Sequence, residues 1–323
     1  MGNILVFGDV QSGQLQTTTF ELSSLANQLV HDGGVVIGAV FGNQLGNVIE
    51  AFSPKGMTSL YVTDHPDLAD YNADSFVAAA ATIIGIVQPE LVIFAQSADT
   101  SEWVPRLAAK LDAALVTGCT GIQREKGHLV AVKINCGGAF VARYQLNRKL
   151  SMITLSPGSH PAADTGAAVS VESVQFNPVL RRVEVLEVVT EDSGTGPALK
   201  SARVVVAGGI GVGSADNWHY IEDAATSLGA AVGASRAAVD MGWVPSTRQV
   251  GFSGLKVSAD LYIAAGISGA IHHLAGLGRV KNIVAINEDA EASIFSIAKY
   301  GVVGDLKQVL PAFVARVNEL KAK

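Results

Sequence analysis

LYIAAGISGAIHHLAGLGRVKNIVAINED, residues 261–289, reads as one βαβ unit. The apolar runs predict buried strands at residues 261–265 and 282–286, with a short helix at residues 270–275 between them. A Gly-Ile-Ser-Gly turn joins the first strand to this helix. Unpaired helix N–H groups and the helix dipole favour an anion at such a junction. We therefore interpret this turn as the phosphate-binding centre of a nucleotide cofactor site.

Composition restricts the class of protein. A net charge of −6 over 323 residues, without a basic run, argues against nucleic acid as a partner. The longest apolar run, residues 76–87, is too short to cross a bilayer, so we expect no membrane insertion. Strand-like residues 4–7 begin almost at the start, and no signal peptide is visible. Cys119 and Cys136 have no CxxC partner and read as unpaired cytosolic thiols. We expect a soluble, cytoplasmic α/β protein without a metal site.

Strand and helix patterns alternate in the first part of the chain. They predict an open parallel sheet covered on both faces. Asp74 is expected to cap one helix, and Pro105 to lie in the first turn of another. Strands are predicted at residues 3–7, 35–40, 59–62 and 91–95, with helices at residues 19–30, 45–52, 75–87 and 103–111. A mixed or antiparallel extension of the same domain is predicted at residues 129–135, 139–144 and 151–155, followed by a strand at residues 183–189.

The alternation restarts after a polar, glycine-rich linker near residues 191–200. The predicted fold class is therefore α/β, with two doubly wound domains at residues 1–195 and 200–323. In the second domain further strands are predicted at residues 204–207, 231–234, 249–251 and 301–304, with helices at residues 218–228, 236–241, 294–299 and 306–321.

Glycines follow several strands of the second domain, namely Gly208, Gly209, Gly251, Gly266 and Gly269. None belongs to a GxGxxG motif with an acidic residue about twenty positions later, so the usual dinucleotide fingerprint is absent. Turn glycines are one interpretation. The alternative is a nucleotide site, because open α/β sheets bind ligands at the carboxyl ends of their strands, where these glycines cluster.

Two residue pairs lie on helices beside this edge. Ser235 and Arg236 are either a helix cap beside a solvated arginine, or a guanidinium held where it would stabilise an anion. His272 and His273 are adjacent on a helix, so their side chains diverge by about 100°. A shared metal is therefore not expected.

Asn287 and Asp305 follow strands, either as turn residues or as partners of a ribose or adenine. The sequence contains no Walker motif, GxSxG, HExxH or paired-carboxylate signature. A hydrolytic or phosphoryl-transfer enzyme therefore has no supporting constellation.

Four segments together resemble a known family. They are VGASRAAVDMGWVP (232–245), LYIAAGISGAIHHLAG (261–276), IVAINED (283–289) and YGVVGDL (300–306), and they closely resemble the α subunit of electron-transfer flavoproteins. The first domain agrees more loosely, as at WVPRLAAKLDAALVTG (103–118). The resemblance implies a Rossmann-like second domain that binds FAD and a β-subunit partner that contacts the first domain. It further implies an electron carrier, rather than an enzyme, serving acyl-CoA dehydrogenase-type redox partners.

The resemblance also assigns roles. Arg236 would lie over the isoalloxazine ring and favour its anionic reduced forms, Ser253 would place a hydroxyl near flavin N5, and His273 would approach the pyrimidine oxygen. Ser235 and residues 268–271 would bind the pyrophosphate, and Asn287 with Asp305 the adenosine half. The complete implied cofactor set is Ser235, Arg236, Val250, Gly251, Phe252, Ser253, Gly266, Ser268, Gly269, Ala270, Ile271, His272, His273, Asn287, Asp305 and Leu306.

Three positions depart from the family pattern. Ile210 replaces the arginine of glycine–glycine–arginine–glycine, and Phe252 and Leu255 replace a glutamine and a lysine in glycine–glutamine–threonine–glycine–lysine. Loss of positive charge near a flavin should lower its potential. One hypothesis is therefore a specialised paralogue, of anaerobic or bifurcating type. A nicotinamide-dependent dehydrogenase and a non-catalytic nucleotide-binding protein are the alternative functions.

Overall fold

The structure is a computed structural model that describes residues 2–11, 13–31, 33–136, 140–187, 199, 202–277 and 280–321. The chain divides into two compact units, Met1–Val189 and Thr190–Lys323. The predicted linker at residues 191–200 lies outside the described residues except for Leu199. Within the described ranges, no helix is both long and apolar enough to cross a membrane. Nor do these ranges bring together three His, Cys, Asp or Glu side chains that could hold a metal ion.

The first unit is built on a parallel sheet. Its elements in chain order are β1 Ile4–Phe7, β2 Val10–Gln11, β3 Gln14–Leu15, α1 Thr17–Leu29, β4 Val36–Gly42, α2 Gly46–Ala51, β5 Met57–Asp64, α3 Ala73–Val87, β6 Leu91–Ala95, α4 Ala98–Lys110, β7 Ala114–Cys119, β8 Gly121–Glu125, β9 His128–Asn135, β10 Phe140–Leu146, β11 Ser151–Leu155 and β12 Ser170–Ser173. Among the described residues, seven parallel strands form the sheet in the order β12-β5-β4-β1-β6-β11-β7.

Alternate residues of the central strand face opposite layers. Ile4 and Val6 pack against α1, whereas Leu5 and Phe7 pack toward α3 and α4. Burial on both faces explains the uninterrupted apolar strand sequences. An antiparallel sheet of order β10-β9-β8 is attached to this unit.

Several predictions for the first unit are wrong in detail. Asn72, not Asp74, caps α3, since its side chain accepts hydrogen bonds from the N–H groups of Asp74 and Ser75. Ser97 and Thr100 form a capping box that starts α4 early, which places Pro105 inside the helix. The strand β11 lies parallel between β6 and β7 rather than in an antiparallel extension.

The strand predicted at residues 183–189 is also wrong over its described part, residues 183–187, which are irregular. The Val183 carbonyl accepts from the Asn72 side chain at 2.8 Å, and the Arg182 N–H donates to Asp74 at 3.0 Å. Side chains at the start of α3 thus bind backbone groups that a strand partner would otherwise use.

The second unit contains a smaller parallel sheet. Its elements are β13 Val204–Gly208, α5 His219–Leu228, β14 Ala231–Ala234, α6 Arg236–Asp240, β15 Leu261–Ala265, α7 Ile271–Leu274, β16 Asn282–Asn287, β17 Tyr300–Val303 and α8 Leu306–Lys321. Among the described residues, the sheet order is β14-β13-β15-β16-β17 and every pairing is parallel. Val206 faces α5 and α8, while Val205 and Ala207 face the segment that leads to β15. The predicted α/β class with parallel sheets is confirmed.

Three short elements differ from prediction in this unit. Residues 249–251 make only isolated bridges, because the chain turns back and the Gly251 N–H donates to the Leu255 carbonyl. A 3₁₀ turn, Ser293–Ser296, replaces the helix predicted at residues 294–299. The helix predicted at residues 270–275 is the single turn α7.

Candidate functional site

The strand order of the second unit identifies one edge of its sheet as a ligand-binding candidate. The chain leaves β13 to form β14 on one side, and then returns to place β15 on the other side. In open α/β sheets, ligands bind beyond the carboxyl ends of the strands at such a switch point. The predicted site residues lie in the loops that follow β14 to β17 and in the segment 249–254, which meets the end of β14 through the Val250 N–H and the Ala234 carbonyl at 2.9 Å.

Glycines allow the loops after β13 and β15 to touch through their backbones. The Gly209 N–H donates to Ala265 at 2.9 Å, and the Gly211 N–H donates to Gly266 at 3.0 Å. A Cβ on Gly209 would lie 2.8 Å from the Cα of Ile267. Gly266 has φ = +64°, which favours glycine. The switch point is therefore closed by backbone contact, which fixes the direction in which the loop after β15 leaves the sheet.

Unpaired backbone N–H groups collect in that loop. Ala270 precedes α7 without a side-chain cap. Among the described residues, no protein group accepts a hydrogen bond from the backbone N–H groups of residues 268–271. The loop is held instead through the Ser268 carbonyl, which accepts from the Ile294 N–H at 3.0 Å. Because α7 has a single turn, its dipole is small, and it is these free donors that can bind an anion.

Ser235 and Arg236 start α6 at the end of β14. The Ser235 hydroxyl oxygen accepts from the Ala238 N–H at 3.4 Å. Its own proton therefore stays available for a further acceptor. The Arg236 guanidinium is largely exposed and forms an i,i+4 ion pair with Asp240 at 3.4 Å. Ser235 is therefore a helix cap beside an exposed arginine, which is the first of the two interpretations drawn from the sequence.

The segment 249–254 packs against α7. The Phe252 N–H donates to the His272 carbonyl at 2.7 Å. A Cβ on Gly251 would lie 2.8 Å from that carbonyl oxygen, so the close approach requires glycine. The Ser253 hydroxyl accepts from the Gln249 side-chain amide at 3.0 Å and, like Ser235, keeps its proton free.

The two histidines of α7 point in different directions, as their spacing predicted. His272 is exposed, and its ring centroid lies 6.0 Å from that of the exposed Phe252. His273 is buried, and its Nε2 lies 3.1 Å from the Tyr262 hydroxyl. Its Nδ1 is buried without a hydrogen-bond partner among the described residues. Burial lowers the pKa of His273 to about 4, against a smaller opposing effect of the Val250 backbone. The imidazole is therefore neutral at pH 7.

The remaining predicted residues connect the loops after β15, β16 and β17. The Asn287 amide donates to the Ile267 carbonyl at 3.0 Å. Asp305 caps the start of α8, accepting from the Lys307 N–H at 2.8 Å. Leu306 is buried against Gly266. In this structure Asn287 and Asp305 thus both act as turn residues.

The three positions that the resemblance marks as departures lie at or near this edge. Ile210 follows β13 and is about half exposed, and Phe252 is more exposed still. Leu255 is partly buried and packs against the core beneath the segment 249–259. Two of these three positions, Ile210 and Phe252, therefore present exposed apolar side chains.

Sequence reasoning missed Tyr262 and Gln249. Tyr262 reads as one more apolar residue of a buried strand, and its partner His273 follows eleven residues later. Gln249 reads as part of a strand, although its amide orients Ser253. To find either residue from the sequence, one would have to know how β15, α7 and the segment 249–254 pack against each other.

Two family models match the chain. The family model described as "Electron transfer flavoprotein FAD-binding domain" matches residues 198–278. The model described as "Electron transfer flavoprotein domain" matches residues 4–179. The second unit therefore contains an FAD-binding domain.

Curated relatives align over nearly the whole chain. An "Electron transfer flavoprotein subunit alpha" of Bacillus subtilis (strain 168) is 34% identical over 98% of each chain. One of Mycobacterium tuberculosis (strain H37Rv) is 39% identical over 99% of this chain and all of the relative. "Protein FixB" of Clostridium saccharobutylicum is 33% identical over 98% of this chain and 96% of the relative. The chain belongs to the α-subunit family of electron transfer flavoproteins.

Proposed function

We propose that this chain pairs with a β subunit and carries electrons on FAD from an acyl-CoA dehydrogenase-type donor to a further acceptor. The unpaired backbone N–H groups of residues 268–271 are the observation that carries the proposal. They form an anion site at the switch point of a domain that matches an FAD-binding family model. The nature of the donor follows from family membership alone.

The residues at this edge fit FAD in three respects. The free backbone donors suit a pyrophosphate. The Ser235 and Ser253 hydroxyls are each oriented by a protein donor and retain a proton for the cofactor. The orphaned Nδ1 of His273 is a buried polar atom that the protein leaves without a partner, and an unsatisfied group of this kind is expected where a ligand completes the site.

FAD, when bound, supplies the redox chemistry. The chain's own residues hold it and adjust its charge environment. Residues 268–271 would bind the pyrophosphate, and Asn287 with Asp305 would contact the adenosine half. Arg236 would place a cation beside the flavin, and Ser253 with His273 would offer neutral hydrogen-bond donors to it.

The proposed function predicts a flavin spectrum. We expect the purified complex with its β subunit, after addition of FAD and removal of the excess, to absorb as a flavoprotein. An acyl-CoA dehydrogenase with its substrate should then bleach the flavin band. A complex that stays colourless would contradict the proposal. Bleaching by a reduced nicotinamide, without any dehydrogenase, would favour the nicotinamide-dependent alternative.

Arg236→Ala should retain FAD but lower its midpoint potential. The backbone donors of residues 268–271 are untouched by the change, so binding should persist. Removal of the cation leaves the Asp240 carboxylate unpaired, and both effects destabilise negative charge on the reduced cofactor. We expect the midpoint potential to shift by on the order of tens of millivolts, because the lost charge lies close to the flavin and is partly screened by solvent. A redox titration of the FAD-loaded complex measures it.

Arg316→Ala is the matched control, because Arg316 is similarly exposed and forms an i,i+3 ion pair with Glu319 on α8. This change should leave the potential unaltered. The reciprocal change, Ile210→Arg, restores the family's cation and should raise the potential. An unchanged potential in both Arg236→Ala and Ile210→Arg would refute electrostatic tuning at this edge and, with it, the specialised-paralogue hypothesis.

We further propose that the first unit contacts the β subunit through the hairpin of β9 and β10. Ile134 and Val141 are directly opposite each other on these strands, so they share a face. Their side chains are 50% and 66% exposed, and Phe140 on the other face is equally exposed. These exposed apolar side chains form a patch on a hairpin whose β10 strand is an edge strand, which is typical of a surface that a partner covers.

A further inference from the structure

Tyr262 and His273 form a buried polar pair beneath the FAD-binding edge. Tyr262 is the second residue of β15 and is fully buried. His273 is on α7 and is 6% exposed. The Tyr262 Oη lies 3.1 Å from the His273 Nε2, and neither atom has another hydrogen-bond partner among the described residues. The position of the phenolic proton of Tyr262 and that of the imidazole proton of His273 therefore depend on each other.

Two arrangements of the protons are possible, and they leave different numbers of polar groups unpaired. If Tyr262 donates to Nε2, the phenolic proton and the Nε2 lone pair are both satisfied, and the imidazole proton on Nδ1 is the one group left unpaired. If Nε2 instead donates to Tyr262, the phenolic proton and the Nδ1 lone pair are both left without partners. A buried unpaired donor or acceptor is unfavourable, so the first arrangement is the more stable one.

The other nitrogen of the ring is left to a ligand. Nδ1 is buried and has no hydrogen-bond partner among the described residues. A proton on Nδ1 is therefore available to an acceptor that does not belong to the described protein residues.

We propose that Tyr262 is a positioning residue that fixes His273 as its Nδ1–H tautomer, so that the FAD-binding edge contains a neutral N–H donor of fixed direction. The tautomer follows from the pair itself. Only the direction of the N–H toward FAD rests on the proposed function. A fixed neutral donor stabilises negative charge on a nearby oxygen without adding a full charge to the site. It differs in this respect from Arg236, whose exposed cation is screened by solvent.

The test is the ¹⁵N spectrum of histidine-labelled α chain in the complex with its β subunit, both depleted of FAD and loaded with it. Nitrogen chemical shifts distinguish a protonated ring nitrogen from a bare one, and His273→Gln identifies the His273 signals. In the wild-type complex we expect a protonated Nδ1 and a bare Nε2. In Tyr262→Phe the acceptor at Nε2 loses its donor, and the proton should become shared between the two nitrogens.

Tyr220→Phe is the matched control, because Tyr220 also lies against a histidine. The ring centroids of Tyr220 and His219 are 4.1 Å apart. The Tyr220 hydroxyl has no hydrogen bond among the described residues. It should leave the His273 signals and the flavin potential unchanged. Tyr262→Phe should lower the potential while changing the FAD dissociation constant less than threefold.

A wild-type Nε2–H tautomer overturns the proposal, whether or not Tyr262→Phe folds. The same holds if Tyr262→Phe keeps the wild-type tautomer. Failure of the complex to bind FAD, with the Nδ1–H tautomer present, would refute the proposed function and leave the tautomer assignment standing.

Discussion

Gly269→Ala is expected to abolish FAD binding and to destabilise the second unit by about 2 to 5 kcal/mol. Gly269 has φ = +86°, and an alanine there is strained by about 1 to 2 kcal/mol. Its new Cβ would fall against the backbone nitrogen of Ile294 and 2.6 Å from the Ile294 Cα. Because these are backbone atoms, the loop must move as a whole, at a further cost of about 1 to 3 kcal/mol.

The loss of binding follows from which loop must move. The same displacement breaks the hydrogen bond between Ser268 and Ile294 and turns the free N–H groups of residues 268–271 away from a common ligand. Titration with FAD followed by flavin fluorescence, together with urea denaturation followed by circular dichroism, measures both effects.

Gly229→Ala separates strain from collision. Gly229 ends α5 with φ = +62°, and a Cβ there would meet no atom within 4 Å. This variant should lose only about 1 kcal/mol of stability and bind FAD normally. If Gly229→Ala and Gly269→Ala had the same stability and the same affinity for FAD, the contact with Ile294 would not be what holds the loop.

Val141→Lys is expected to weaken the complex with the β subunit at least tenfold, which corresponds to about 1.4 kcal/mol. Burial of a valine contributes about 1.5 kcal/mol or more, and the lysine adds a charge that a partner would have to desolvate. The variant chain should remain folded, because Val141 is exposed on an edge strand where lysine is well tolerated. Isothermal titration calorimetry of the α chain with its β subunit measures the affinity.

Ile86→Lys is the matched control for this surface. Ile86 is 53% exposed on α3, and it is an apolar side chain outside the hairpin patch. It should leave the affinity unchanged. If Val141→Lys bound the β subunit with wild-type affinity, the hairpin would be excluded as the contact surface.

The sequence predicts the central strands better than the pieces that surround the site. The strands β6, β14 and β15 and the helix α8 have the predicted bounds, because continuous apolar runs and a long amphipathic pattern depend little on neighbours. Residues 183–187 have a strand-like composition but lie irregularly, since Asn72 and Asp74 bind their backbone. Strand propensity therefore failed where side chains distant in sequence supplied the hydrogen bonds.

The same distinction holds at the site. The resemblance supplied its residues, and the glycine positions supplied its location. The contact between Gly269 and Ile294, and the pair of Tyr262 with His273, both depend on how separate loops pack. Nothing in the local pattern around any of these residues encodes its partner.

The free N–H groups of residues 268–271 have a consequence for how this family diverges. A backbone donor is available whatever side chain its residue bears, so Ala270 and Ile271 can drift in sequence while the anion site persists. The substitutions that the site tolerates least are those at the glycines that shape the loop. Binding of the anion is thereby separated from the side chains of the loop itself. Side chains elsewhere on this edge, such as Ile210 and Phe252, can change without removing the backbone donors.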